Sequence, residues 1–302
     1  MSLSPHRPIC VIASTLFFCL LAACATHPAQ SPAPSDNTAQ TAPNNWFADV
    51  RSMADAQDNT GRRAHLRQRL ERAGMTVVVQ TFGSNKQQGE NFIAEVGGPA
   101  NAPLLLIGAH SDRVDAGRGA TDNASGSATV LALAERFKRR PLAHHRVKVA
   151  FWDLEEHGLL GAADYIDRNS DKPALYINFD VFGWGDSLWM MSRDTEHPLV
   201  VASRDAARAQ GIQISAGEQY PPTDHLAFLK AGWPAVSYSL VGADEIPDIL
   251  RVFKGEQPER MPKVMAVIHS DRDTLAEIDP AAAAKGVDAV EAAIRAWDAQ
   301  AK

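Results

Sequence analysis

The stretch 104-LLLIGAHSD-112 runs apolar from Leu104 to Ala109 and then turns abruptly to His110 and Asp112. An apolar run of that length without alternation marks a strand buried on both faces, the situation of a central strand in a parallel sheet. Two further stretches share its layout. In 147-VKVAFWDLEE-156 a strand over Val147–Trp152 is followed by Glu155 and Glu156, and in 175-LYINFD-180 a strand over Leu175–Phe179 is closed by Asp180. Helical periodicity over Ala124–Lys138 and Leu159–Arg168 separates the three. Strands alternating with helices of this length predict an α/β fold: a three-layer sandwich whose mixed sheet has parallel central strands and helices on both faces.

The pattern extends outward in both directions. On the N-terminal side, Trp46, Val50, Met53 and Ala54 mark one helical face and Asp58-Asn-Thr-Gly61 breaks it. A second helix runs from Arg62 to Ala73 with Gly74 at its C-cap, and strands follow at Thr76–Phe82 and Asn91–Val96. On the C-terminal side come a strand at Ser187–Met191, helices at Pro198–Gln210 and Thr223–Ala231, a strand at Val236–Leu240 and a terminal helix at Pro280–Trp297. The segment 242–263 has no clear period and three prolines, and reads as a long surface loop.

The chain has 302 residues, 45% of them hydrophobic, which is ample for a core and excludes a disordered protein. Thirty basic against 36 acidic residues give a formal charge of −6, and no basic block suggests nucleic-acid binding. The three cysteines all lie within the first 24 residues, so no disulfide framework is expected. Ile9–Ala23 is almost wholly apolar but, at 15 residues, shorter than the ~20 that span a bilayer. It fits the apolar region of a secretory signal. The run ends in Leu21-Ala22-Ala23-Cys24, which resembles the lipobox of bacterial lipoproteins. That resemblance implies cleavage before Cys24, lipid on Cys24 and, with Ala25 next, an outer-membrane protein facing the periplasm. Ordinary cleavage near Ala22-Ala23 beside an accidental cysteine is the alternative. Residues 25–45, rich in Pro, Ala, Ser, Thr and Asn, read as a flexible tether. The expected organisation is therefore a signal over 1–23, a lipidated Cys24 and linker over 24–45, and one catalytic domain over 46–302. Cleavage would leave Cys24 as the sole cysteine, and lipid on it excludes thiol catalysis.

In open α/β sheets functional groups gather beyond the carboxyl ends of the strands. Three strands here deliver His110, the Glu155-Glu156 pair and Asp180 to one rim, and imidazole with carboxylate suits Zn²⁺. Asp122 in 121-TDNASG-126 and His269 in 268-IHSDRDT-274 fit the same set. Each alone has a plainer reading: Asp122 as a helix N-cap, the glutamates as complements to a helix dipole, Asp180 as a turn residue, His269 as a surface histidine. The five together, in this order, point to a metal site.

At these residues the sequence resembles the co-catalytic di-zinc aminopeptidases, which include secreted bacterial leucyl aminopeptidases and, more distantly, glutaminyl cyclases. The resemblance covers about residues 90–300. It rests on His110-Ser-Asp112, Asp122-Asn-Ala-Ser-Gly126, Asp153-Leu-Glu155-Glu156-His-Gly158, Asn178-Phe-Asp180, Thr223-Asp-His225 with Phe228 and Gly232-Trp-Pro-Ala235, and His269 with Asp273-Thr274. It implies two Zn²⁺ per chain. Asp122 would bridge them, His110 and Asp180 would complete one site, and Glu156 and His269 the other. Glu155 would be the general base toward a metal-bridged hydroxide. Asp112 would hydrogen-bond His110 from behind the metal or cap its own loop. Tyr220 would stabilise the oxyanion or simply wall the pocket. The implied substrates are peptides with a free N-terminus.

This division of labour is chemically coherent. Two Zn²⁺ ions about 3.5–4 Å apart need a shared carboxylate to offset their repulsion, and a base must keep its lone pairs off the metal. The sequence departs from the family at Val181, where many relatives have Met, and at Pro221-Pro222, where secreted relatives flank the tyrosine with a disulfide. Asp224 and His225 read as caps or braces at a helix start, and His144, His145, His157 and His197 as surface groups. Phe182, Trp184, Trp189, Met190 and Met191 read as core residues or pocket lining. Two other functions share the scaffold: a glutaminyl-cyclase-like transferase with one zinc, and a catalytically inactive binding domain.

Overall fold

Burial with a period of two along the central strands divides the apolar core into two layers. In the computed structural model, which describes residues 42–84 and 87–301, Leu105, Ile107 and Ala109 belong to one buried cluster and Leu104 and Leu106 to another. The expected signal, Cys24 and all of the tether up to residue 41 lie outside the described residues.

The chain enters as two helices, α1 (Ala42–Ala54) and α2 (Asn59–Arg72), then a hairpin of β1 (Val77–Ser84) and β2 (Gln87–Gly97), then β3 (Leu104–His110). An irregular helical turn, Ala120–Ser125, leads into α3 (Gly126–Arg139), β4 (Arg146–Trp152), α4 (Leu160–Arg168) and β5 (Leu175–Phe179). Next come β6 (Ser187–Met191), α5 (Pro198–Ala209), β7 (Gln213–Gly217), α6 (His225–Lys230) and β8 (Ala235–Val241). Finally α7 (Ile246–Phe253), α8 (Lys263–Val267), a short turn at Leu275–Glu277 and α9 (Pro280–Asp298) complete the chain. Among the described residues no helix is long and apolar enough to cross a membrane.

The eight strands form one mixed sheet in the order β1-β2-β4-β3-β5-β8-β6-β7. β4, β3, β5 and β8 are mutually parallel at its centre, and the β1–β2 hairpin and β6 pair antiparallel. One face buries α1, α2, α3, α5 and α9 through residues such as Trp46, Leu66, Val130, Leu199 and Val290. The other buries α4 and α6 around an aromatic group of Trp152, Tyr165, Tyr176 and Phe228, the Tyr176 and Phe228 rings stacked 3.7 Å apart. The polar atoms in this layer are paired, as burial requires: Trp152 Nε1 donates to Tyr176 Oη (2.7 Å), which donates to Asn178 Oδ1 (2.8 Å).

β3 has β4 on one side and β5 on the other. The β3-to-β4 connection runs through α3 on one face, and the β4-to-β5 connection passes back over β3 through α4 on the opposite face. That reversal opens a crevice at the carboxyl ends of β3, β4 and β5, the place where such sheets bind ligands.

Several expectations need correction. Asp58-Asn59-Thr60-Gly61 does not break a helix; Asp58 caps α2 by accepting from the Gly61 amide at 2.8 Å, so the helix starts at Asn59. Residues 242–263 are not one long loop, since they contain the eight-residue α7 with Pro247 in its first turn, where proline is tolerated. β7, a five-residue edge strand, was not anticipated. α1 begins at Ala42, inside the stretch read as tether. His145 is not a surface group: it is buried, stacks on Trp297 at 4.2 Å and pairs with Asp298 at 2.8 Å.

Candidate metal centre

His110 ends β3 and is only 1% exposed, with its backbone carbonyl held by Ser127 Oγ at 2.8 Å. Asp122 lies in the irregular turn before α3. Asn123 beside it ties that turn to the end of β5, donating to the Phe179 carbonyl (2.9 Å) and accepting from the Gly126 (2.9 Å) and Val181 (3.3 Å) amides. Gly126 is required by this closeness, because a Cβ there would fall 2.2 Å from Asn123 Oδ1. Asp180 follows β5 directly, Glu155 and Glu156 follow β4, and His269 follows α8 in a left-handed conformation with φ 56°.

The five expected metal ligands come together as two groups sharing Asp122: His110, Asp122 and Asp180, and Asp122, Glu156 and His269. One oxygen of Asp122, Oδ1, lies 3.1 Å from His110 Nε2, and the other, Oδ2, lies 3.1 Å from His269 Nε2. His110 Nε2 is 3.4 Å from Asp180 Oδ1, and His269 Nε2 is 3.0 Å from Glu156 Oε2. Ligands held ~2.0–2.1 Å from a tetrahedral zinc lie ~3.3 Å from one another, so both triangles have the dimensions of a zinc site. Asp180 Oδ1 and Glu156 Oε1 are buried without a hydrogen-bond partner, as donor atoms awaiting a cation would be. The residues fit two zinc ions.

The electrostatics agree. Burial pushes the Asp122 carboxyl upward, but its bonds to His110 and His269 outweigh that and hold it well below the usual carboxylate range. His110 is raised well above the usual imidazole range: burial opposes, and Glu155, Asp180, Asp112 and Asp122 prevail. His269 is pushed up to about 10 by its bonds to Asp122 and Glu156. A metal bound here would displace protons from these groups.

Glu155 belongs to neither triangle but lines the same cavity as Asp122, Glu156 and Asp180. Burial pushes it up to about 9, with His110 opposing and Asp224, Asp180 and Asp122 adding. Asp112 caps its loop, while the expected hydrogen bond to His110 is not formed, since His110 Nδ1 has no hydrogen-bond partner. It lies 3.4 Å from His110 Nδ1, and its two oxygens accept from the Glu155 (3.1 Å) and Glu156 (3.2 Å) amides. It therefore braces the loop that carries Glu155 and Glu156.

Tyr220 lines the cavity against Trp189, with ring centroids 4.7 Å apart. Its hydroxyl donates to Ser239 Oγ, which donates onward to the Asp180 carbonyl. In this arrangement the phenol braces the strand end bearing Asp180, and reaching an oxyanion would require it to leave Ser239. Asp224 caps nothing: its carboxylate is buried with both oxygens unpartnered, and burial, against His110 and with Asp112 and Asp180, raises it well above the carboxylate range. Phe182 and Met190 join the main core, whereas Trp184 and Trp189 belong to the smaller cluster beside the cavity.

Three braces escaped sequence reading. Asp273 accepts from the Thr121 (2.6 Å) and Asp122 (3.1 Å) amides and so fixes the turn that carries Asp122. Glu245 accepts from Trp184 Nε1 (3.1 Å), the Gly242 amide (3.2 Å) and the Val264 amide (3.0 Å), joining the end of β8 to α8. Arg62, fully buried, reaches backbone carbonyls behind the site. The Asp273-Thr274 match beside His269 was a signal for the first; nothing local signals the other two.

The cavity over the metal centre, about 250 Å³, has an acidic floor and an apolar wall of Val181, Trp189, Tyr220, Val264, Met265 and Ile268, with Phe253 at its rim.

The sequence pattern of peptidase family M28 matches residues 91–294. This chain belongs to that family. The M28 chain is 29% identical to leupeptin-inactivating enzyme 1 of Streptomyces exfoliatus over 97% of its own length and 71% of that enzyme. It is 37% identical to the probable lipoprotein aminopeptidase LpqL of Mycobacterium tuberculosis over 36% of its length and 23% of that protein. It spans only 41% of fungal leucine aminopeptidases that it also matches. Among solved structures, the zinc aminopeptidase BSAP of Bacillus subtilis superposes with a TM-score of 0.57 at 25% identity, covering 70% of this chain and 50% of that one. A glutaminyl cyclase of Porphyromonas gingivalis gives 0.67 at 18% identity over 83% and 97%, a likeness of fold alone.

Proposed function

We propose that this M28 chain is a zinc-dependent aminopeptidase with two zinc ions, removing the N-terminal residue of peptides. The observation that carries the reading is Asp122, whose two oxygens each face the ligating nitrogen of a different histidine in a different three-residue group. Bound there, zinc would polarise the scissile carbonyl and lower the pKa of an attacking water toward 7.

The chain's own residues supply the rest. With bound cations offsetting the neighbouring carboxylates that hold its proton, Glu155, held by its amide against Asp112, would take a proton from the attacking water and return it to the leaving amine. Carboxylates at the floor, Asp180 and Glu155, hold the substrate's α-ammonium, which sets the cut one residue from the end. The apolar wall accepts a bulky uncharged side chain and leaves a charged one unpaired. The family match and the name of the Bacillus neighbour support the zinc peptidase reading.

Chelation followed by zinc addition tests it. Purified protein is expected to hydrolyse leucyl, methionyl or phenylalanyl 4-nitroanilide faster than the aspartyl or lysyl analogues, to lose that activity in EDTA, and to regain it with Zn²⁺ at two ions per chain. Cyclisation of an N-terminal glutamine with one zinc per chain would favour the cyclase reading, and absence of both activities and of metal would favour an inactive binding domain.

We also propose that Cys24 carries lipid and holds the domain on the periplasmic side of the outer membrane. The support is the lipobox-like Leu21-Ala22-Ala23-Cys24 followed by Ala25. Two acyl signals suffice for stable anchoring. In a bacterial host that lipidates exported proteins, Cys24→Ser is expected to move the protein from the membrane pellet to the soluble fraction; retention in the pellet would refute the anchor.

A further inference from the structure

The stripe that α2 presents to the interior consists of Arg62, Leu66 and Leu70, all buried. Spaced four apart, these positions read as an apolar helix face, and a fully buried arginine at its head is anomalous. No carboxylate among the described residues lies within ion-pair distance of its guanidinium. The group instead uses two of its nitrogens on three backbone carbonyls and leaves Nη2 buried without a partner: Nε donates to Ser111 (2.9 Å), and Nη1 donates to Arg118 (3.2 Å) and Gly119 (3.1 Å). One turn earlier, Asn59 pairs with the backbone of Arg113 in both directions, donating to its carbonyl (3.2 Å) and accepting from its amide (3.1 Å).

These five bonds fall on one loop, residues 111–119. It leaves His110 at one end, enters the turn of Asp122 at the other, and contains Asp112. Both metal triangles depend on it, because His110 belongs to one and Asp122 to both. The helix that holds the loop lies outside residues 91–294, where the family pattern matches.

We propose that the first turn of α2 is a positioning clamp for the zinc-ligand loop, with Arg62 as its principal residue and Asn59 as its second; this rests on the zinc reading above. A planar fork suits the task, because it reaches three carbonyls from one rigid head, which an ammonium cannot do with fixed geometry. The positive charge also offsets part of the surrounding carboxylate charge. Burial and Arg113 lower the arginine to about 10, with Asp112, Asp273 and Asp122 opposing, so it stays charged at neutral pH.

The clamp is tested by zinc affinity, measured by competition with a chelator, alongside melting of metal-free and zinc-loaded protein. Arg62→Lys keeps the charge and loses the fork, so any change in affinity reports geometry. It is expected to weaken zinc binding at least tenfold, and Asn59→Ala by a smaller factor, with zinc raising the melting temperature less than in the natural chain. Variants that bind zinc as tightly as the natural chain, whatever their melting temperatures, overturn the clamp. If Arg62→Lys does not fold, Asn59→Ala decides alone, because it removes only two bonds at a partly exposed position. A natural chain that takes up no zinc would overturn the zinc reading and the clamp with it, a result distinct from variants that load equally well.

Discussion

Glu155→Ala is expected to keep its zinc and lose roughly 10²–10⁴ in kcat, the usual weight of a positioned general base. Glu155 stands in neither ligand triangle, so removing its carboxylate subtracts no donor atom from the metals. Its neighbour Glu156 is held independently, because Asp112 binds the amides of both residues through separate oxygens. The substitution therefore separates proton transfer from metal binding. It also deletes a buried carboxyl that crowds Asp180, Asp122 and Asp224, so folding is not expected to suffer. Steady-state kinetics on an amino-acid 4-nitroanilide, with zinc counted per chain by atomic absorption, checks both halves. A fully active variant would remove Glu155 from the mechanism, and a zinc-free one would make it a ligand.

Asp122→Ala is expected to be the more drastic change, losing both ions rather than one and with them all measurable turnover. Each imidazole faces a different oxygen of this one carboxylate. Without it, His110 keeps only Asp180 and His269 only Glu156, two donors apiece, too few for a tetrahedral site. His269→Ala, by contrast, is expected to spare the His110 group and lower the stoichiometry by one. The backbone at residue 122 stays fixed by Asp273, so the comparison is between folded proteins. Zinc per chain after exhaustive dialysis, with far-ultraviolet circular dichroism as the control for folding, distinguishes the outcomes. An Asp122→Ala protein that still held two ions would end the shared-carboxylate account.

The part of the architecture that could be read from residues alone is the part fixed by burial on both faces. β3, β4 and β5 stood out because a central parallel strand has no solvent side to impose alternation, and β5 and β6 were placed to the residue. Most of the candidate ligands stand out for a related reason, since His110, Glu156 and Asp180 lie at or just beyond the ends of those strands, whereas His269 follows α8. α7 did not, because eight residues with a proline and charges give too few turns to establish a period. The surroundings of His145 and Asp224 are not legible locally because they come from distant segments: Asp298 and Trp297 for the first, His110, Asp112 and Asp180 for the second. Arg62 is the extreme case, since a helical stripe headed by arginine differs in no local way from one whose arginine faces water.

Glu245 links two properties of this enzyme that are usually treated as separate. Its carboxylate ties the end of β8 to α8, and α8 supplies Val264, Met265 and, just past its end, Ile268 to the apolar wall and His269 to the candidate metal centre. Mutational drift that enlarges the side-chain recess from that direction would disturb His269 at the same moment. Substitutions at Trp189 or in the Tyr220 loop, on the opposite bank, would reshape the same recess without touching the segment that carries His269.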